Sequence, residues 1–176
     1  MQFDPLPIAG AWLITLSPLT DERGAFARTF CAKAFTDRGL NPAVAQCNTS
    51  INRRQATLRG LHFQSAPHAE AKLIRCVRGA IWDVIVDLRP ESPTFRQWTA
   101  AELSATNRQQ LYVPEGMAHG FQTLCDDVEV LYQMSAAYVP EAASGLRWDD
   151  PVLAIPWPLA DPILSERDRV WPLLTG

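Results

Sequence analysis

The sequence predicts an all-β protein, built as a β-sandwich or a small barrel. Fourteen prolines and nine glycines separate short apolar runs along the 176 residues, a rhythm that is typical of strands joined by turns. No internal repeat, low-complexity tract or linker interrupts this pattern, so we expect a single domain over residues 1–176. A chain of this length can bury a sizeable core.

Short apolar or alternating runs bounded by turn residues are the candidate strands. In chain order they are Ala11–Leu16, Val44–Asn48, Thr57–Phe63, Leu73–Val77, Ala80–Leu88, Gln97–Leu103, Gln110–Val113, His119–Leu124 and Val128–Ser135. Two short helices are expected beside them. The first covers Cys31–Arg38 and ends at Gly39. The second covers Ser165–Val170, with Ser165 as N-cap and Asp168 in the first turn.

Composition and charge exclude several classes of protein. Hydrophobic residues make up 47% of the chain and charged residues 20%, as in soluble globular proteins. The net charge of −3 and the lack of a basic run argue against nucleic-acid binding. The opening residues lack the pattern of a signal peptide, and no apolar run approaches the roughly 20 residues that span a bilayer. We therefore expect a cytoplasmic protein whose four cysteines are reduced thiols.

Three ionisable side chains lie on strand faces that otherwise look inward. Asp83 belongs to Ala80–Leu88, whose two faces are both largely apolar. Its carboxylate is expected to be buried with a partner, because an unpaired buried charge costs several kcal/mol. Lys72 and Tyr132 alternate with apolar positions in the same way. Together with His62 they favour a polar pocket inside a barrel.

His62 lies in a predicted strand, where it is either a hydrogen-bonded core histidine or a group that transfers protons. Arg59 and His62 would point to opposite faces of a regularly alternating strand. Gly60 stands between them, and a glycine inside a strand often marks a bulge or a close approach of two backbones. A bulge at Gly60 would bring both side chains into one cavity.

The histidines also raise the question of a metal site. A metal-binding β-barrel of this size usually presents two nearby histidines and a carboxylate on adjoining strands. Here His62 is followed by Phe63 and Gln64, and His68 lies in a loop. His62 and His119 without a placed carboxylate form a poor ligand set for a transition metal. We predict no functional metal site.

Six sequence blocks occur in a fixed order: DERGAFARTF, QCNTSINRRQATLRGLHFQ, KLIRCVRGAIWDVIVDLRPESPTFRQW, LYVPEGMAHGFQTL, VLYQMSAAYVPEAASGLRWDDPVLAIPWP and LSERD. Together they resemble the dTDP-4-dehydrorhamnose 3,5-epimerase family along nearly the whole chain. The resemblance implies a cupin-like double-stranded β-helix, or jelly roll, with a few short peripheral helices and with neither metal nor cofactor. It also implies a homodimer in which N-terminal residues of one subunit reach the site of its partner.

The resemblance further implies a role for each matching residue. The catalytic positions are His62 as general base, Asp168 as the carboxylate that orients it, Tyr132 as general acid on the opposite side of the sugar, and Lys72 as the cation near the ketone oxygen. The substrate-binding positions are Arg23, Gln46, Asn48, Arg59, His119 and Tyr138. Asp83 matches an inner-barrel carboxylate that holds Lys72 or His119.

The chemistry of these residue types agrees with those roles. Inverting a carbon beside a ketone requires a base, an acid across from it and a positive group that stabilises the enolate. Histidine suits the role of base near neutral pH, and a carboxylate partner fixes its tautomer. We therefore predict an enzyme that inverts C3 and C5 of a nucleotide-linked 4-keto-6-deoxy sugar. The default reaction converts dTDP-4-dehydro-6-deoxy-D-glucose to dTDP-4-dehydro-L-rhamnose.

Several alternatives stay open at this point. The enzyme could invert C3 only or isomerise the keto group, since the pose of the sugar decides which proton the acid reaches. A sugar-nucleotide-binding barrel without activity is disfavoured because binding alone needs no acid–base pair, and a metal-dependent cupin is disfavoured by the ligand set. Arg28 and Cys47 stand where the family often has acidic residues, so another nucleotide carrier is an alternative to dTDP.

Overall fold

The computed structural model describes residues 1–174 and consists mainly of antiparallel strands. The strands are β1 (Gln2–Pro5), β2 (Trp12–Thr15), β3 (Leu19–Asp21), β4 (Gly24–Phe26), β5 (Gln46–Asn52), β6 (Leu58–Gln64), β7 (Lys72–Arg78), β8 (Ala80–Asp87), β9 (Trp98–Ser104), β10 (Gln109–Val113), β11 (Met117–Thr123), β12 (Val128–Met134) and β13 (Ala143–Gly145). The helices are α1 (Ala32–Thr36) and α2 (Glu166–Val170), with a 3₁₀ turn at Pro140–Ala142. The domain expected over residues 1–176 includes two residues, 175 and 176, that lie outside the described part.

Two large sheets form the body of the fold. One has six strands in the order β1-β2-β10-β7-β12-β5, and the other has five in the order β13-β6-β11-β8-β9. A separate hairpin pairs β3 with β4. Sheet neighbours that are distant in sequence, such as β7 and β12, show that the chain crosses repeatedly between the sheets. This topology confirms the predicted all-β, cupin-like jelly roll with a few short helices.

Each candidate strand corresponds to an observed one, with ends that differ by a few residues. The largest difference is at Val44–Asn48, where the observed strand is Gln46–Asn52. The predicted helices are present but shorter, and Ser165 Oγ accepts a hydrogen bond from Asp168 N as an N-cap does. The prediction missed β1, β3, β4 and β13, which have three or four residues each and are too short to show a period.

The core lies on both faces of β8, as its apolar alternation predicts. Between the sheets, Ile85 packs in a cluster with Ile74 of β7 and Val130 of β12. On the opposite face, Val84 packs with Leu153, which belongs to the long segment after β13. Full burial of each such side chain stabilises the fold by about 1.5–3 kcal/mol. The five-stranded sheet is therefore covered on its outer face by chain that leads to α2.

Hydrogen bonds hold the C-terminal segment against β6. Leu58 N donates to Ile163 O at 2.9 Å, and Thr57 forms a parallel bridge with Ile163. Farther along, Arg147 N donates to Pro172 O at 2.9 Å. These contacts place α2 beside the middle of β6. Between residues 1 and 174, no helix combines the length and the apolar character that crossing a bilayer requires.

A buried carboxylate at the end of β8 connects two loops. Asp87 accepts hydrogen bonds from Arg89 Nε at 2.8 Å, Ser92 Oγ at 2.5 Å and Thr94 Oγ1 at 2.7 Å. Arg89 Nη2 also donates to Ala9 O at 2.6 Å. Burial raises the pKa of Asp87, but the hydrogen bonds from Arg89, Ser92 and Thr94 outweigh burial and hold that pKa below its usual range. The network fixes the β8–β9 loop to the turn between β1 and β2.

Asp87→Asn should lower the free energy of unfolding at pH 7 by about 1.5–3 kcal/mol, the usual worth of a hydrogen bond to a charged group. A depressed pKa stabilises the fold fully above the unfolded-state value of about 3.9, and this contribution is lost as the pH falls further. The difference in the free energy of unfolding between the wild-type protein and Asp87→Asn, measured by urea unfolding, should therefore be smaller at pH 3 than at pH 7. Exposed Asp37, paired with Lys33, provides the control: Asp37→Asn should leave stability nearly unchanged. A gap equal at both pH values would contradict this explanation.

Candidate active site

A cavity of about 510 Å³ lies between the two large sheets. Its walls come from both sheets, from the segment after β12 and from α2. Among the residues predicted from sequence, the cavity is lined by Asn48, Arg59, His62, Lys72, His119, Tyr132, Tyr138 and Asp168. The fold therefore gathers side chains that are far apart in the sequence into one polar pocket, as the strand faces predict.

His62 and Asp168 form a hydrogen-bonded pair, with His62 Nε2 2.6 Å from Asp168 Oδ1. The N-cap at Ser165 starts α2 so that Asp168 points inward, where it is buried. Burial raises the pKa of Asp168, but the hydrogen bond and charge of His62 and the contacts of Ser165 and Trp171 lower it to a net value below the usual range. Asp168 is therefore an ionised carboxylate that accepts a hydrogen bond from the Nε2–H group of His62. Nδ1 is then the ring nitrogen that can take a proton from a substrate.

A bulge in β6 brings Arg59 and His62 to the same cavity. The register between β6 and β11 shifts next to Gly120, so β6 has one residue more than β11 at this point. The backbones touch there: a Cβ atom on Gly60 would lie 2.6 Å from Gly120 Cα. The predicted bulge at Gly60 is confirmed. Glycine is required here both by the close approach of the two backbones and by a φ of +147°, which other residues rarely adopt.

Lys72 is buried at the start of β7 with two polar partners. Its Nζ donates to His62 O at 3.0 Å and lies 3.1 Å from Glu70 Oε1. Burial lowers the pKa of Lys72, while the charges of Glu70 and Asp83 raise it. Sequence reasoning missed Glu70, which looks like a loop residue. The available signal was its position two residues before Lys72, on the same face of an extended chain.

Glu70→Gln should shift the alkaline limb of the kcat/KM profile to lower pH. Loss of the neighbouring carboxylate lowers the pKa of Lys72 further, so the ammonium loses its proton earlier as the pH rises. The measurement is the pH–rate profile of the two proteins. Glu129→Gln is the control, since Glu129 pairs with Arg78 through partly exposed side chains outside the cavity and should leave the profile unchanged. An alkaline limb unmoved in Glu70→Gln would show that Glu70 does not act on Lys72.

Asp83 is hydrogen-bonded to His119, which lines the cavity. His119 Nε2 lies 2.7 Å from Asp83 Oδ1, and both side chains are buried. Burial raises the pKa of Asp83, although the charges of His119 and Lys72 lower it in part. Of the two partners that the resemblance implied for Asp83, the hydrogen bond goes to His119. Lys72 pairs instead with Glu70.

Tyr132 lies on the six-stranded sheet, opposite the sheet that carries His62. Its ring packs edge-on to His119, with ring centroids 5.8 Å apart. Burial, and then the charge of Asp83, raise the pKa of Tyr132 well above 10. The phenol is therefore protonated near neutral pH and can donate a proton. His62 and Tyr132 therefore line the cavity from opposite sheets.

Two predicted binding residues do not line the cavity. Gln46 Oε1 accepts a hydrogen bond from Tyr138 N at 2.8 Å, so Gln46 supports the backbone at the cavity mouth. Arg23 lies on the β3–β4 hairpin, where its side chain is 85% exposed and pairs with Asp21. Arg28 and Cys47, which depart from the family pattern, are both exposed.

Sequence reasoning also missed two lining residues next to Asp168. Arg167 lies in α2, and its guanidinium carbon is 4.6 Å from the centroid of the Trp171 ring. Trp171 Nε1 donates to Asp168 Oδ1 at 3.3 Å. The block LSERD marked this segment, but nothing local indicates that a tryptophan after the helix turns back to the cavity. Among residues 1–174, no three histidine, cysteine, aspartate or glutamate side chains gather in a way that could hold a metal ion.

This arrangement is suited to moving protons at a carbon beside a carbonyl group. A histidine base with its carboxylate stands on one side and a protonated phenol on the other. Lys72 and Arg59 line the same cavity, and basic side chains in such positions can stabilise a developing oxyanion.

Comparisons with known proteins agree with this chemistry. The family model described as dTDP-4-dehydrorhamnose 3,5-epimerase matches residues 5–176. The chain is 45% identical over 175 residues to a dTDP-4-dehydrorhamnose 3,5-epimerase of Sinorhizobium fredii, covering 99% of this chain and 90% of that one. It is 39% identical over 170 residues to a dTDP-4-dehydrorhamnose 3-epimerase of Streptomyces niveus, covering 96% and 82% of the two chains.

A crystal structure of a dTDP-4-dehydrorhamnose 3,5-epimerase from Bacillus anthracis, with TDP and PPi bound, is similar throughout. Its TM-score is 0.95 at 44% sequence identity, and the match covers 98% of this chain and 99% of that one. The family model spans every residue of the described site, since the match begins at residue 5 and ends at residue 176. The chain therefore belongs to the dTDP-4-dehydrorhamnose 3,5-epimerase family.

Proposed function

We propose that the protein is an epimerase that converts dTDP-4-dehydro-6-deoxy-D-glucose to dTDP-4-dehydro-L-rhamnose by inverting C3 and C5. The proposal rests chiefly on one observation: the His62–Asp168 pair and the protonated Tyr132 face one cavity from opposite sheets. A protein that only bound a sugar nucleotide would not need a base and an acid on two sides of its ligand. The reaction serves the synthesis of deoxysugars such as rhamnose.

Each inversion takes two proton transfers. His62 Nδ1 removes the proton from the carbon beside the C4 ketone, and the electrons of the C–H bond move to the ketone oxygen to form an enolate. Lys72 Nζ stabilises that oxyanion. Tyr132 then delivers its phenolic proton to the opposite side of the same carbon and the ketone re-forms. The phenolate regains a proton from solvent, and the His62 imidazolium releases its proton to solvent, so both groups are reset for the second carbon. C3 and C5 both adjoin C4, so the same residues serve both carbons.

The mouth of the cavity is the proposed place for the nucleotide diphosphate. Asn48 and Tyr138 line it, and Gln46 holds the Tyr138 backbone. Arg167 adds a cation on the α2 side, where a diphosphate gains from a planar guanidinium. We propose dTDP as the carrier because the matching relatives are named for dTDP sugars. Cys47 does not line the cavity, whereas Arg28 lies two residues after the β3–β4 hairpin.

The β3–β4 hairpin is the proposed contact with a neighbouring subunit. Leu19 and Phe26 are 76% and 77% exposed there, and Arg23 is exposed in the turn of the same hairpin. Exposed apolar side chains on a hairpin indicate an interaction surface. We propose a homodimer in which Arg23 completes the partner's site. The single domain over residues 1–176 and the cytoplasmic location stay predictions.

Mixing two inactive variants should restore activity if Arg23 acts across subunits. In a mixed dimer of Arg23→Ala and His62→Ala, one cavity keeps its own His62 and receives Arg23 from its neighbour. After subunit exchange, one of the two cavities in each mixed dimer should then be active. A mixture of His62→Ala with Tyr132→Phe is the matched control, since each cavity in it lacks one residue. Recovery in neither mixture, with exchange verified, would place Arg23 outside the partner's site.

The test of the function is the identity of the product. The purified protein is incubated with dTDP-4-dehydro-6-deoxy-D-glucose, and the configuration at each ring carbon is read from NMR coupling constants. We expect inversion at C3 and C5. Inversion at C3 alone would assign the 3-epimerase reaction instead, and tight binding without turnover would overturn the proposal in favour of a binding protein.

A further inference from the structure

The carboxylate that orients the catalytic histidine lies on a short and exposed segment. Helix α2 has five residues, and Asp168 is its buried one, whereas Glu166, Arg167 and Arg169 are exposed. Packing of the helix itself therefore contributes little to the position of Asp168. The position must be fixed by what flanks the helix, and the residue that follows it is Trp171.

Trp171 lies directly on the backbone of β13. A Cβ atom on Gly145 would be 2.5 Å from Trp171 Cε2, far inside contact distance. The φ angle of Gly145 lies outside the left-handed region, so the indole and not the backbone conformation demands glycine here. Gly145 is paired with His62 in the β13–β6 register. Gly145, the seat on which the indole packs, is therefore paired with the strand that carries the base.

The indole also touches the catalytic pair. Its Nε1 donates to Asp168 Oδ1 at 3.3 Å, the same oxygen that lies 2.6 Å from His62 Nε2. Its ring centroid is 6.2 Å from that of His62, in an edge-on arrangement. Arg167 lies over the ring, and the next residue, Pro172, accepts the hydrogen bond from Arg147 N. The indole is thus held by its seat, by a cation and by the chain that follows.

We propose that Trp171, seated on Gly145, is a positioning residue that holds the Asp168 carboxylate in hydrogen-bonding contact with His62. The inference rests on the proposed function of that pair. A second donor on Oδ1 fixes the orientation of the carboxylate, and the seat on β13 fixes its distance from β6. Since a displacement of about 1 Å in a catalytic group can reduce the rate by on the order of 10²-fold, the effect falls on kcat.

Four variants, one of which is the reference Trp171→Ala, separate the parts of this arrangement. Trp171→Phe keeps a ring on Gly145 but removes the N–H donor, and should lower kcat by about 3–10-fold. Gly145→Ala places a methyl group against the indole and should lower kcat by on the order of 10–10²-fold. In Gly145→Ala/Trp171→Ala the clash is gone, so kcat should equal that of Trp171→Ala alone. The control is Trp98→Phe, which removes the donor to Leu153 O far from the cavity.

A spectroscopic readout tests the contact without activity. In a ¹H–¹⁵N spectrum the indole resonance that is lost in Trp171→Phe belongs to Trp171, and it should shift in Asp168→Asn but not in Asp149→Asn. An inactive wild-type protein would overturn the proposed function alone, because the indole shift is measured independently. Two results together would overturn the positioning role. The first is a wild-type kcat in both Trp171→Phe and folded Gly145→Ala, and the second is an indole resonance that does not shift in Asp168→Asn.

Discussion

His62→Ala should abolish the exchange of hydrogen with solvent at both C3 and C5. One base serves both carbons in this site, so loss of the imidazole removes the first proton transfer of each inversion. A positioned base contributes on the order of 10²–10⁴-fold to the rate, and kcat should fall by at least that factor. Folding should be preserved because the ring is only half-buried at the cavity wall. The measurement is deuterium uptake in deuterated water, followed by NMR.

Substitution of Asp168, alone and together with His62, tests the same mechanism more strictly. Asp168→Asn removes the carboxylate that fixes the histidine tautomer and should itself cause a large loss of activity. Because the two residues act as one unit, the double variant should be no slower than His62→Ala. Asp149→Asn is a suitable control, since Asp149 is exposed and paired with Arg147. Losses that multiply in the double variant would mean that the two side chains act separately.

Tyr132→Phe should uncouple deprotonation from inversion. The substitution removes one hydroxyl and keeps the ring that packs against His119. His62 and Asp168 are untouched, so deuterons should still enter C3 and C5 from the His62 side. Inversion should fall by a factor on the order of 10²–10⁴, because the donor on the other side is gone. The expected product of the incubation is labelled substrate with little of the L-configured sugar.

Tyr112→Phe is the matched control for this variant. Tyr112 is buried on β10, and its hydroxyl accepts a hydrogen bond from Asn41 N at 3.0 Å, outside the cavity. Its loss should lower stability by about 1 kcal/mol and leave both exchange and inversion unchanged. Inversion by Tyr132→Phe at the wild-type rate would show that Tyr132 is a core residue and that another group supplies the proton.

The parts of the fold that were predicted correctly are those with a local signal. β8 shows apolar residues on both faces, which identified it as a central strand and Asp83 as a buried carboxylate. Gly60 identified the bulge that brings Arg59 and His62 together. In both cases the period of a strand, or its interruption, decided the direction of the side chains.

The parts that were missed depend on contacts between distant segments. Glu70 is an exception: it was missed although its position two residues before Lys72, on the same face of an extended chain, was a local signal. Trp171 gains its place from Gly145, which belongs to a strand of three residues with no period of its own. Nucleotide binding by Gln46 stays a prediction, whereas its hydrogen bond to the backbone of Tyr138 was not anticipated. Such pairings are set by the tertiary fold, so no window of sequence shows them.

The most direct test of the mechanism is the reaction of the wild-type protein with dTDP-4-dehydro-6-deoxy-D-glucose in deuterated water. Tyr132 draws its proton from solvent, whereas the proton removed from the substrate goes to His62. Each inverted carbon should therefore carry a solvent deuteron, and the product should be labelled at both C3 and C5. A fully converted L-configured product that retains the original hydrogens at both carbons would contradict acid–base transfer between these two residues.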